Sequence, residues 1–176
     1  MSRLIKHILP ACALILGMAG IAACSSSECL DNQNSLPLAG FYSSSDHPQA
    51  ISIDSISIAG VGVPGDSILH DSVRNLSKTY LPFRIDQGET TYRISYLAGD
   101  LGKYRISDLI SFRYDIVPWF VSSACGTIYR YKITSIAWTD NVIDSVTCPK
   151  GEITNAPGEN LRIYFRVRIA EEGGEQ

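Results

Sequence analysis

The sequence lacks the local motifs that usually carry catalysis or metal binding. It contains no C-x-x-C pair, no H-E-x-x-H helix motif, no EF-hand loop and no G-x-S-x-G turn. Histidine is scarce, since residues 24–176 contain only His47 and His70. His70 and Asp71 could supply two members of a Ser-His-Asp arrangement, but no local motif completes it. The sequence therefore predicts no catalytic residue, no metal site and no cofactor.

The chain also lacks a basic run suited to nucleic acid. Residues 24–176 carry 13 basic and 18 acidic side chains, which gives a net charge of −5. Nucleic-acid binding needs clustered positive charge. Nucleic acid is therefore not a predicted partner, and no motif identifies a small-molecule ligand.

The first 23 residues differ from the rest of the chain. Arg3, Lys6 and His7 form a basic start, and the next 16 residues, 8–23, carry no charge. A membrane-spanning helix needs about 20 apolar residues. A short basic segment followed by an apolar run and small residues is typical of an export signal. The sequence predicts a signal peptide over residues 1–23 and not a transmembrane anchor.

The apolar run ends in Ile21-Ala22-Ala23-Cys24. This stretch resembles a bacterial lipobox, in which an aliphatic residue and two small ones precede a cysteine, although Ile21 stands where leucine is commonest. The resemblance implies cleavage before Cys24, lipidation of its sulfur and acylation of the new amino terminus. Two or more acyl chains hold a protein stably on a membrane. Cys24 is the predicted anchor, and residues 24–36 are a polar tether.

Alternating apolar and polar residues dominate the remainder. The pattern is clearest in residues 90–97, 109–116 and 161–169, and a period of two is typical of a half-buried strand. No stretch long enough to form a helix has helical periodicity. We expect an all-β fold over residues 37–170, an immunoglobulin-like β-sandwich of about eight or nine strands, with a small β-barrel as the alternative. Residues 171–176 should form a disordered tail. Other predicted strands are 38–44, 50–59, 66–70, 78–84, 127–138 and 142–148.

Four isoleucines in residues 50–59 change phase. Ile51 and Ile53 share one parity, whereas Ile56 and Ile58 share the other. Because side chains alternate between the faces of a strand, all four face inward only if the chain is irregular between them. We therefore expect a β-bulge near residues 54–55.

Three cysteines remain for a cross-link. An exported chain enters an oxidising compartment in which disulfides form, and lipidation of Cys24 leaves Cys29, Cys125 and Cys148. A hairpin between residues 127–138 and 142–148 would hold Cys148 about 26 Å from Cys125, whereas a disulfide needs Cα atoms within about 7 Å. This register favours a Cys29–Cys125 disulfide, with three free thiols as the alternative.

Asp-Ser followed by Ile or Val occurs at four places. The triplets resemble the O-glycosylation signal of exported Bacteroidota proteins, Asp-Ser or Asp-Thr before an apolar residue. Asp-Ser also begins turns and strands well, which is the alternative. The resemblance implies acceptors at Ser55, Ser67, Ser72 and Ser145.

Two further clusters could bind something. Residues 118–121, Pro-Trp-Phe-Val, precede Cys125 and offer either a partner or sugar-stacking site or a loop packed over the sandwich end. Arg162, Arg166 and Arg168 share one parity, and the solvated face of a strand is favoured there over an anion site.

From about Cys29 to Phe165, the chain resembles a family of uncharacterised Bacteroidota outer-membrane lipoproteins. The resemblance implies a lipoprotein of unknown function, with Cys29 and Cys125 as its characteristic pair and Cys148 outside the pattern. Residues 25–27, three serines before the first acidic residue, favour the periplasmic side of the outer membrane. The matching stretches are Cys29, 40–42 (GFY), 123–126 (SACG), 141–145 (NVIDS) and 159–165 (ENLRIYF).

Two functions follow from these observations. The first is a non-enzymatic envelope protein, anchored in the membrane by its lipid, that binds or supports another outer-membrane component such as a protein. The alternative is a carbohydrate-binding accessory module, which would require Trp119, Phe120 or Trp138 to be exposed and coplanar.

Overall fold

Alternation of inward apolar and outward polar residues along the chain produces a structure made mostly of strands. The computed structural model describes residues 35–62, 67–123 and 125–166, which belong to one compact unit, residues 32–176. The described residues form ten strands and one short helix. These are β1 (Leu38–Ser43), β2 (Ile56–Val61), β3 (Ile68–Val73), β4 (Lys78–Tyr80), β5 (Glu89–Tyr96), α1 (Gly99–Lys103), β6 (Ser107–Ser122), β7 (Gly126–Trp138), β8 (Ile143–Thr147), β9 (Glu152–Ile153) and β10 (Leu161–Phe165).

The strands form two sheets that pack face to face. One sheet has the order β4-β1-β10-β8, and the other has the order β3-β2-β5-β6-β7-β9. β1 and β10 pair in parallel, and the other pairings are antiparallel. The predicted all-β sandwich is confirmed, with ten described strands where eight or nine were expected. β9 and α1 were not predicted, because two and five residues are too short for a periodic pattern.

Aromatic side chains fill much of the space between the sheets. Phe41 and Phe165 meet edge to face with their ring centroids 5.2 Å apart. Phe83 stacks on Tyr114 with centroids 4.5 Å apart, and Tyr131 meets both rings. Each fully buried aromatic side chain contributes about 2–3 kcal/mol relative to an exposed one. This core lies between the sheets and ends near Tyr114 on β6.

The expected change of face in residues 50–59 is confirmed. Ile56 and Ile58 are fully buried, and Ile51 and Ile53 are half-buried and packed against the same core. Ser55 has a φ of 53°, in the left-handed region, and the chain bends there. The irregularity is a bend just before β2 and not the predicted β-bulge, and it turns both isoleucine pairs toward the interior.

The predicted hairpin between β7 and β8 is wrong. β7 pairs with β6 and β9 in the six-stranded sheet, whereas β8 pairs with β10 in the other sheet. Residues 139–142 therefore connect the two sheets, and the register used to separate Cys125 from Cys148 does not exist. The two cysteines are nevertheless unpaired with each other, because Cys148 is a free thiol.

Several predictions concern residues that the structure does not describe. The signal peptide over residues 1–23, the anchor Cys24, Cys29 and the tail over residues 171–176 all lie outside the described residues. They remain predictions.

Candidate functional site

The hairpin of β6 and β7 extends beyond the rest of its sheet. β5 pairs with β6 only over Ser107–Arg113, and β9 pairs with β7 only at Tyr131 and Lys132. Within the described residues, no other strand pairs with residues 116–122 of β6 or 126–130 of β7. Among the described strands, this part of the hairpin is therefore a two-stranded ribbon whose outer edges pair with no third strand. We call residues 116–123 and 125–131 the hairpin tip.

The hairpin tip exposes large apolar side chains. Burial alternates along β6 as far as Tyr114, and the next residues are mostly exposed. Trp119 is 48% exposed and Phe120 is 66% exposed, and Val117 and Tyr129 are also exposed. Solvated faces of antiparallel sheets are normally polar. An exposed apolar cluster of this kind usually marks an interaction surface.

The tip carries almost no charge. Residues 116–131 contain no acidic residue and a single basic one, Arg130. The Arg130 guanidinium carbon lies 3.8 Å from the centre of the Trp119 ring, a cation–π contact between the paired strands. The tip is thus an aromatic surface with one positive charge in a domain that is otherwise net negative.

A tight turn closes the hairpin. Ser122 pairs with Gly126, whose φ of 77° is readily adopted only by glycine. The backbone N–H of Cys125 donates to the Ser122 hydroxyl at 3.1 Å. The pairing of Ser122 with Gly126 therefore closes the hairpin in a tight turn, with a left-handed glycine at its end. Cys125 belongs to this turn and is only 9% exposed.

The aromatic rings do not form one flat platform. Trp119 and Phe120 are adjacent on β6, so their side chains project to opposite faces of the ribbon. Trp138 pairs with Ile110, nine residues before Trp119 along β6, a separation of about 30 Å. The rings are exposed, as the sugar-binding hypothesis requires, but they are not coplanar with one another.

A second polar feature lies at the other end of β6. Asp108 is fully buried, and both of its carboxylate oxygens accept hydrogen bonds. Oδ1 accepts from the Thr139 hydroxyl at 2.7 Å and from the Asn141 N–H at 2.9 Å. Oδ2 accepts from the Tyr96 hydroxyl at 2.8 Å and from the N–H groups of Val142 and Ile143 at 2.9 and 3.1 Å.

These bonds make Asp108 a structural anchor. Burial alone would raise the pKa of its carboxyl group, but the donated hydrogen bonds outweigh burial and lower the pKa below its usual value. Burial beside this carboxylate raises the pKa of the Tyr96 hydroxyl. Because five donors occupy the carboxylate, it fixes the crossing from β7 to β8 and has no free oxygen for a substrate.

The sequence contained a signal for Asp108 that was missed. Asp108 has the same parity as Ile110, Phe112 and Tyr114, which all face the core. A carboxylate on the buried face of a strand requires hydrogen-bond partners. Three of the donors to Asp108 are the N–H groups of Asn141, Val142 and Ile143. All three residues belong to the family-like stretch 141–145.

A family model described as a family of unknown function (DUF6452) matches residues 55–165, more than half of the chain. The chain belongs to this family. The matched DUF6452 residues include Asp108, the hairpin tip and the turn with Cys125, but begin after Cys29 and β1. No curated protein and no solved structure matches the chain. The expectation of an uncharacterised domain is confirmed.

The residues just before the DUF6452 match are tied to its last strand. β1 pairs in parallel with β10, and the Leu38 N–H donates to the Asn160 side chain at 3.1 Å. The Tyr42 hydroxyl donates to Glu159 at 2.8 Å, and Arg162 Nε donates to the same carboxylate at 3.0 Å. The matching stretches 40–42 and 159–165 therefore form a structural cluster that joins the first and last strands.

Gly40 is required by this cluster, and its replacement is a testable prediction. A methyl group at residue 40 would lie 2.0 Å from Glu159 Oε2. We expect Gly40→Ala to lower the free energy of unfolding by about 1–2 kcal/mol, because Glu159 must leave Tyr42 and Arg162. In a Glu159→Ala background the same change should cost almost nothing. Urea denaturation of the four chains measures this, and fully additive costs would contradict the proposed clash.

Other candidate residues of the DUF6452 domain have structural roles. The His70 ring Nε2 lies 2.7 Å from the Thr79 hydroxyl, which links the edge strands β3 and β4 of the two sheets. The Asp71 carboxylate accepts instead from the Ser72 hydroxyl at 3.3 Å. Among the described residues, no group of three or more His, Cys, Asp or Glu side chains is placed to hold a metal ion.

The arginines of β10 and beyond are paired with acidic side chains. Arg162 meets Glu159 at 3.0 Å, and Arg166 meets Asp144 at 3.2 Å and Asp140 at 3.9 Å. Arg168 lies outside the described residues. The two described arginines form a solvated, charge-compensated face, as the sequence favoured.

The four Asp-Ser serines differ in exposure. Ser67 and Ser72 are exposed, whereas Ser55 and Ser145 are half-buried. Ser72 has a φ of 51° in β3, opposite a register shift against β2. Of the four predicted acceptors, Ser67 and Ser72 are thus the more accessible, and their glycosylation remains a prediction.

Among the residues that the structure describes, no helix has the length and apolar composition needed to span a membrane.

Proposed function

We propose that the protein is a lipid-anchored, non-catalytic component of a bacterial outer membrane that uses its hairpin tip to bind or support another outer-membrane component. The observation that carries this proposal is the exposed apolar surface around Trp119 and Phe120, on a ribbon that no other described strand extends. Two-stranded ribbons are only marginally stable in water. A partner surface that covers the tip would stabilise it.

The anchor and the tip are proposed to be joined. The lipobox-like stretch predicts lipid on Cys24, and the proposed Cys29–Cys125 disulfide would attach the tether to the turn of the hairpin tip. Cys148 is a free thiol and Cys125 is not, which supports this choice of pairing. Ile128 of β7 is only 1% exposed and does not belong to the core cluster, and a tether joined to Cys125 would lie close to it.

This arrangement sets the orientation of the domain. Cys29 is five positions after Cys24, so the tether between them spans at most about 17 Å. The hairpin tip would therefore be the part of the domain nearest the membrane. The three serines before Glu28 favour the periplasmic face of a Bacteroidota outer membrane, as the family resemblance implies.

Site-specific photo-crosslinking in the native envelope tests this proposal. A crosslinking amino acid at Phe120 is expected to capture an envelope component, because that side chain lies on the proposed binding surface. Tyr104 is the matched control, since it is an aromatic residue with the same exposure, 66%, near the other end of β6. Equal capture at both positions, or capture at Tyr104 alone, would contradict the proposal.

A further inference from the structure

We propose that the outer-membrane component contacted by the hairpin tip is the lipid bilayer itself, at its headgroup interface. This inference rests on the proposed function and names the partner of the same surface. The tip would act as a second, non-covalent contact that complements the lipid on Cys24.

The composition of the tip suits a membrane interface. Tryptophan and tyrosine are enriched where lipid headgroups meet water, because their rings are apolar and their edges are polar. The tip presents Trp119, Phe120 and Tyr129 to solvent. Its single charge, Arg130, is positive, so it complements anionic headgroups, and residues 116–131 contain no carboxylate that would be repelled.

The two-sided exposure favours a bilayer over a protein groove. Trp119 and Phe120 project to opposite faces of one ribbon, so a groove that receives one ring leaves the other in water. A ribbon that enters a fluid interface with its turn first has both faces covered together. Its strand edges, which no other described strand covers, need hydrogen bonds that the hydrocarbon core cannot supply. The tip should therefore stay in the headgroup layer.

The short distance between the aromatic rings of the tip and Cys125 agrees with this placement at the membrane. Phe120 pairs with Thr127, two residues from Cys125, and Trp119 pairs with Ile128, three residues away. Both rings thus lie within about 10 Å of Cys125 along the ribbon. If Cys125 is joined to Cys29, the short tether keeps the rings close to the lipidated residue, whereas Trp138 lies about 30 Å farther along the hairpin.

Fluorescence quenching by brominated phospholipids tests the inference on the full lipidated chain. The protein has two tryptophans, so Trp138→Phe leaves Trp119 as the single reporter and Trp119→Phe leaves Trp138. Each variant is reconstituted into vesicles of phosphatidylethanolamine and phosphatidylglycerol, with and without bromine in the acyl chains. The two rings have similar exposure in the domain, 48% and 37%, so the comparison is matched.

We expect the brominated lipid to remove about half or more of the Trp119 emission and to leave the Trp138 emission unchanged. Equal quenching of both rings, or none at Trp119, would overturn the inference. The crosslinker at Phe120 then separates the two proposals. A protein adduct without Trp119 quenching overturns the bilayer contact and supports the proposed function, whereas neither signal overturns both.

Discussion

The Asp108→Asn variant is expected to unfold with a free energy lowered by about 3 kcal/mol. The amide nitrogen that replaces one carboxylate oxygen cannot accept a hydrogen bond. Depending on its orientation, it would face either the two donors now bound by Oδ1 or the three bound by Oδ2. Buried donors without partners each cost about 1–3 kcal/mol. Urea denaturation near neutral pH measures the loss.

Asp115→Asn is the matched control for this prediction. Asp115 lies on the same strand, faces solvent and pairs across the ribbon with Lys132. The same chemical change at an exposed position should alter the free energy of unfolding by less than about 0.5 kcal/mol. Equal losses at Asp108 and Asp115 would contradict the anchoring role.

The stabilisation by Asp108 should depend on pH with a definite sign. The folded protein lowers the pKa of this carboxyl group, so folding favours its charged form. An unfolded aspartate titrates near a pKa of about 3.9. The contribution is therefore complete above that pH and is lost as the pH falls through the folded pKa. The stability difference between the wild type and Asp108→Asn should narrow below about pH 4.

Asp108 also shows what periodicity could not predict about the fold. Alternation located β1, β5, β7, β8 and β10 to within a few residues, because each has one buried face. It could not decide which strands pair. Residues 139–142 suited a hairpin turn, but the buried carboxylate binds the N–H groups of residues 141–143 and directs the chain to the other sheet.

The candidate site was located in the sequence only in part. Residues 118–121 stood out as an apolar cluster, but their pattern did not show whether another element covers them. Coverage depends on the lengths of the neighbouring strands, and β5 ends its pairing at Arg113 while β6 continues to Ser122. The unusual length of β6, beyond the predicted 109–116, is what exposes Trp119 and Phe120.

Reduction of the proposed Cys29–Cys125 disulfide is the second change that we expect to lower the free energy of unfolding strongly. A bond between Cys29 and Cys125 would close a loop of about 97 residues, for which chain entropy gives a stabilisation of about 4–5 kcal/mol. Urea denaturation with and without a reductant is expected to show a loss of this size.

Two serine variants assign that loss to the proposed pair. Cys148→Ser should retain it, because Cys148 is a free thiol, half-buried beside the turn after β8. Cys29→Ser should begin at the lower stability and show no further loss with reductant. Sensitivity to reductant that persists in Cys29→Ser would show that Cys125 has another partner. The tether would then not hold the hairpin tip near the membrane, and the quenching of Trp119 would need a different cause.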